Sequence, residues 1–176
     1  MKSIPDIDKK MWILEEKVLS HPEIGKIFPY SANTIRITTV RDGQHIKILH
    51  HWMKFGTGNN YIDNAHHGGI CIAVDGQGCL YDDAFQYSTG KHYKRHPDTN
   101  YEFNGFQIPY WDQTKRLVLK AHELLYDMQS IGWDVAISPY GPVLVEGNTY
   151  WGMSEALQLA PDTWDNLYEQ YIHYYS

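Results

Sequence analysis

GWDVAISPYGPVLVEGN, residues 132–148, reads as two short strands joined at Pro139-Tyr140-Gly141. Side chains along a strand alternate between its two faces. Pairing Ser138 with Pro142 puts Asp134 opposite Glu146, and Asp134, Ala136, Leu144, Glu146 and Asn148 then share a face. Trp133, Val135 and Ile137, with Val143 and Val145, make up the apolar remainder and argue that this hairpin lies on a core. Directly opposed side chains sit about 5 Å apart at Cβ. Two carboxylates at that separation repel each other, and a divalent cation resolves the conflict. Oxygen donors from Asp, Glu and Asn are what a hard cation such as Mg2+ takes. The same spacing also suits an exposed hairpin with solvated acids, and a one-residue slip in register would separate the pair.

Outward from the hairpin, residues 111–129 predict an amphipathic helix, with Leu117, Ala121, Leu124, Leu125 and Met128 on one stripe. Residues 33–41 alternate cleanly, with Ile35, Ile37 and Thr39 on one face and Thr34, Arg36, Thr38 and Val40 on the other. Residues 45–54 read as a strand, 55–60 as a loop, and 69–75 as a short apolar strand that GQG turns back into CLYDD. Residues 11–19 read as a first strand and 161–174 as a closing helix. Residues 82–110 show little periodicity and read as a long loop region, of the kind that is usually functional in a compact domain. The inventory is α+β: a mainly antiparallel sheet flanked by helices, in a single domain over 1–176.

Bulk properties narrow the function. The 176 residues are 43% hydrophobic and 20% charged, which supports a packed core. A formal net charge of -6 offers no general attraction to nucleic acid or to an anionic membrane surface, so a phosphate ligand must be held by a few local cations or a metal. No apolar run reaches the roughly 20 residues of a membrane span. Cys71 and Cys79 match no zinc or redox spacing, and a reducing cytoplasm is the expected compartment.

Five ordered segments carry a resemblance: SANTIRI (31–37), YIDNAHHGGI (61–70), HPDTNYEFNGFQIP (96–109), IGWDVAI (131–137) and the Glu-x-Asn of 146–148. Together they resemble the C-terminal half of an ATP-grasp domain of the sugar-transfer-associated family. The resemblance implies ATP and Mg2+ as cofactors, with Asp134, Glu146 and Asn148 as metal ligands. It makes WILEEKVLSHPEI (12–24) the adenine-contacting strand, where Glu15 or Glu16 meets the purine, Lys17 and Val18 offer backbone contacts, and Glu23 reaches the ribose. Arg36 becomes the residue that steadies a phosphate or acyl phosphate through its planar fork, with Lys54 as a second cation for that task. Asn64, His66 and His67, followed by Gly68-Gly69, are placed to meet a polar small-molecule acceptor.

The activity so implied is ATP-dependent ligation of a carboxylate to an amine or other nucleophile, in a pathway of surface sugars. One departure stands out. Only about a dozen residues precede the adenine strand, too few for the lid with its glycine-rich loop and lysines. The expectation is therefore a fragment of a longer product, a lid supplied by another chain or a homo-oligomer partner, or a reduced relative that binds nucleotide or a partner without ligating. A third class, a metal-dependent hydrolase, rests on the number of histidines (50, 51, 66, 67, 92 and 96), with no cysteine-supported spacing among them.

Overall fold

In the computed structural model, residues 16–58, 63 and 65–151 are described. Seven strands form one antiparallel sheet: β1 (Ile35–Asp42), β2 (His45–Phe55), β3 (Ile70–Val74), β4 (Leu80–Gln86), β5 (Lys91–Tyr93), β6 (Ser130–Ser138) and β7 (Gly141–Asn148). Their order across the sheet is β5-β4-β3-β2-β1-β6-β7. Among the described residues two α-helices accompany it, α1 (Pro22–Ile27) and α2 (Trp111–Glu123), so the fold is α+β. None of the described helices is long and apolar enough to cross a membrane. The closing helix expected at 161–174 lies outside the described residues.

The two faces of the sheet differ sharply. Ile35, Ile37, Met53, Phe55, Ile70, Ile72, Trp133, Val135 and Ile137 are buried together with Trp111 and Val118 of α2, forming the core. Polar groups inside that core are matched. Thr39 Oγ1 shares a hydrogen with His122 Nδ1 at 2.7 Å and accepts from Trp133 Nε1 at 2.8 Å, while Met128 O accepts from His122 Nε2 at 3.0 Å. This matching lets α2 bury His122, and Thr114 Oγ1 donates to Tyr110 O at 3.0 Å, so both polar residues are buried along with Trp111 and Val118. The stripe expected from Leu117 to Met128 is shifted: Leu124, Leu125 and Met128 lie past the end of the helix and are exposed. Hydropathy alone passes over Thr114 and His122 because their polar atoms find partners inside the fold.

The hairpin of β6 and β7 also departs from the simple register. Ser138 pairs with Gly141 and Ile137 with Pro142, while Asp134 pairs with Glu146 and Gly132 with Asn148. A bulge between Asp134 and Val135 absorbs the difference. Leu144 therefore pairs with Val135 and packs against the core, away from the face of Asp134. Val143 and Val145 turn outward to 37% and 51% exposure.

Two further segments differ from expectation. Residues 82–86 and 91–93 continue the sheet as β4 and β5, and 94–110 is a connection pinned by buried His96, Phe103, Phe106 and Ile108. Residues 16–20 form no strand but lead into α1, where the His21 side chain accepts from Glu23 N and a proline opens the first turn. Residues 11–15 of the expected first strand lie outside the described residues.

The turn before β4 meets the start of α2 closely. A Cβ built on Gly78 would lie 2.4 Å from Trp111 Cγ, and the residue has φ +89°. Gly78→Ala should destabilise the fold by about 2–4 kcal/mol, from overpacking plus left-handed backbone strain. Denaturant unfolding measures it, and a loss below about 0.5 kcal/mol would show that Trp111 swings aside freely.

Candidate functional site

On the face opposite the core, cross-strand register sets Trp52, Arg36, Asp134 and Glu146 in a row across β2, β1, β6 and β7. The centre of this row is an ion cluster. Arg36 donates from Nε to Asp134 Oδ1 at 2.6 Å and from Nη2 to Oδ2 at 3.1 Å. Lys54 Nζ, from β2, reaches Asp134 Oδ2 at 2.9 Å. Asp134 is only 5% exposed and Lys54 7%. Burial alone pushes the Asp134 carboxyl up in pKa, but the Arg36 hydrogen bond and the charges of Lys54 and Arg36 outweigh it and hold the carboxyl below its ordinary value. The carboxylate is therefore ionised at neutral pH.

Beside the cluster, Glu146 is exposed on β7, and Asn148 Nδ2 donates to its Oε1 at 2.9 Å. Register places Glu146 opposite Asp134 and Asn148 opposite Gly132. The three metal-ligand candidates are thus neighbours on one surface, two on the edge strand β7 and one buried on β6.

Three contacts frame the site from loops. Asp63 Oδ2 accepts from Thr34 N at 2.5 Å and from Thr34 Oγ1 at 2.8 Å, tying Asp63 to the residue just before the strand that carries Arg36. Trp151 O accepts from Arg36 Nη1 at 2.9 Å. A Cβ on Gly132 would fall 2.2 Å from Trp151 Cβ, so the missing side chain there lets the chain return across the sheet after β7.

The other candidates are distributed as follows. Glu15 and Asn64 lie outside the described residues. Glu16 and Lys17 are exposed and Val18 half-buried, in a segment anchored by a hydrogen bond from His21 N to Ile137 O at 2.7 Å, near the far end of the strand bearing Asp134. Glu23 sits in α1 and pairs with Lys26 at 2.7 Å. His66 and His67 stand in a 3-10 turn, Ala65–His67, and His67 is exposed.

The remaining histidines are dispersed. His92 is an exposed partner of Asp83, His96 is buried with Nε2 donating to Gly56 O at 2.9 Å, and His50 and His51 point to opposite faces of β2. Among the described residues, no three His, Cys, Asp or Glu side chains are grouped to hold a metal ion. Lys54 was legible in sequence only as a second cation. Asp63 and Trp151, which position Arg36 and its strand, carried no sequence signal of that role.

A family model of sugar-transfer associated ATP-grasp proteins matches residues 5–163. No curated protein and no solved structure matches the chain. With that match over most of its length, the chain belongs to the sugar-transfer associated ATP-grasp family.

Proposed function

We propose that this chain binds Mg-ATP on the open face of the sheet and acts as the module that supports ATP-dependent carboxylate ligation. The observation that carries the reading is the buried Arg36–Asp134–Lys54 cluster set directly beside Glu146 and Asn148. A charged trio in that position does nothing for core packing, since buried ion pairs seldom stabilise more than apolar replacements. Its chemistry suits polyphosphate instead. Arg36 offers a planar fork and Lys54 a point charge, the two cation types that phosphate oxygens accept.

The donor set also fits Mg2+. It consists of oxygens only, from one buried carboxylate, one exposed carboxylate and one amide. When bound, the ion would neutralise charge on phosphate oxygens. In this reading Asp134 fixes the directions of Arg36 and Lys54, so that both cations are oriented before nucleotide arrives. Glu146 and Asn148 supply the ligands on the exposed side. Phosphoryl transfer depends mainly on such positioning and charge stabilisation. The stretch of exposed Glu16 and Lys17 and half-buried Val18 is assigned to the purine end, and His67, with its neighbours Asn64 and His66, to the acceptor.

Calorimetry provides the test. Wild-type protein should bind ATP only with Mg2+ present, and Glu146→Ala should weaken binding at least about tenfold, the effect of about 1.4 kcal/mol. Because Glu146 is exposed, the same variant should change stability by less than about 0.5 kcal/mol. Unaltered Mg-ATP affinity in Glu146→Ala would remove the assignment.

A second reading is binding without ligation. It is favoured by Asp134 already accepting hydrogen bonds on both oxygens from Arg36 and Lys54. ADP release stimulated by a carboxylate together with an amine selects ligation; Mg-ATP binding with no such release selects the second reading.

A further inference from the structure

A second polar group lies on the same sheet face, next to the ion cluster. His50 is opposite Thr38, and Trp52 is opposite Arg36. Thr38 is 0%, His50 8% and Trp52 4% exposed. Thr38 Oγ1, both ring nitrogens of His50 and Trp52 Nε1 are buried without a hydrogen-bond partner among the described residues. Buried polar atoms are nearly always matched, so four unmatched atoms on three adjoining residues call for an explanation.

The opposite face supplies an internal control. There the same residue types, Thr39, His122 and Trp133, are buried in the same sheet and its helix, and their polar atoms bond to one another or to main chain. The fold therefore accommodates a buried Thr–His–Trp trio in matched form. The trio on the Arg36 side is left open.

Trp151 roofs this group. Its ring lies 5.2 Å from that of His50, and its Nε1 donates to Ser130 Oγ at 3.1 Å. Its main chain crosses over Gly132, the residue beside Thr38 on β6. Burial lowers the His50 pKa to about 3, so the ring is uncharged, with one nitrogen donating and the other accepting. Trp52 Nε1 donates only, and Thr38 Oγ1 does both. A partner for this set must bring both donors and acceptors, as hydroxyl groups do.

We propose that Thr38, His50 and Trp52 form a subsite, beneath Trp151, for the hydroxyls of an uncharged polyol or sugar ring. The subsite goes beyond the nucleotide reading and shares none of its proposed ligand residues. Trp151 lifts to admit the ring, which also withdraws its carbonyl from Arg36.

Two-dimensional NMR on the full chain, titrated with D-glucose and separately with myo-inositol, tests it. The Trp52 indole N–H and the His50 ring nitrogens should shift with one of the two probes, with a midpoint in the millimolar range expected of a few uncharged hydrogen bonds. Thr38→Val keeps the shape and removes the hydroxyl, and should raise that midpoint about fivefold, as the loss of one hydrogen bond predicts. If Thr38→Val folds poorly, Trp52→Phe removes the indole donor and is read through the His50 signals. Glu146→Ala, the probe of nucleotide binding, should leave these shifts intact. Signals unmoved by either probe, or moved equally in wild type and Thr38→Val, would overturn the proposal and assign the unmatched atoms to buried water.

Discussion

Replacing Asp134 with alanine is expected to lower the free energy of unfolding by about 3–5 kcal/mol, the loss seen when one partner of a buried ion pair is removed. Asp134 is 5% exposed and holds two cations at once, Arg36 and Lys54. Its removal leaves two positive charges facing each other in a dry setting. The loss should be partly recovered in Asp134→Ala/Lys54→Met, which takes away one of the stranded charges and keeps apolar bulk. Urea unfolding of the single and double variants gives both values. A loss under about 1 kcal/mol for Asp134→Ala would show that the cluster behaves like a solvated surface pair.

The second large effect is acid destabilisation beginning near neutrality. The folded-state pKa of His50, His51, His96 and His122 is lowered in each case, first by burial. In the unfolded chain a histidine titrates near 6.5. Below that value the unfolded state binds protons that the folded state refuses, so stability is fully present above about pH 6.5 and falls as pH drops through it. His50, lowered to about 3, alone contributes a slope of about 1.4 kcal/mol per pH unit across this interval. Asp134 acts in a separate window. Its pKa is held below the ordinary 3.8, so its contribution is present above that value and fades only at lower pH. Denaturant unfolding at pH 7.5, 6 and 5 should show a steady decline, and His50→Phe should flatten it by about 1.4 kcal/mol per unit. A level profile between pH 7 and 5 in the wild type would contradict the burial of these rings.

The parts of this fold that were legible share a physical cause. β1 alternates because one of its faces is core and the other polar, so Ile35 and Ile37 separate cleanly from Arg36 and Thr38. The pairing of Asp134 with Glu146 was readable from spacing, yet the turn register beside it was not. A bulge adds a residue without any hydropathy signature, and it moved Leu144 to the core and Val143 and Val145 outward. The helix stripe failed where polar residues replace apolar ones in the core, as Thr114 and His122 do. The hairpin of β4 and β5 did carry a signal, Ser88-Thr89-Gly90 between Phe85-Gln86-Tyr87 and His92-Tyr93, but β5 has only three residues and β4 mixes buried, half-buried and exposed positions without clean alternation. Within the site, Arg36 and Lys54 lie on strands recognised from pattern. Trp151 joins them only because residue 132 is glycine, a consequence of three-dimensional approach that no local pattern records.

The position of β7 at the margin of the sheet gives the two halves of the site unequal protection from solvent exchange. β1 and β6 are each flanked by strands on both sides, so the amides beside Arg36 and Asp134 open only with large parts of the sheet. β7 is paired with β6 alone among the described strands, and its amides can exchange through fraying of one edge. Glu146 and Asn148 therefore belong to a compliant rim, and Arg36, Lys54 and Asp134 to a stiff floor. A ligand lowered onto that floor would find its charge partners already fixed, while the rim adjusts its reach to ligands of different size.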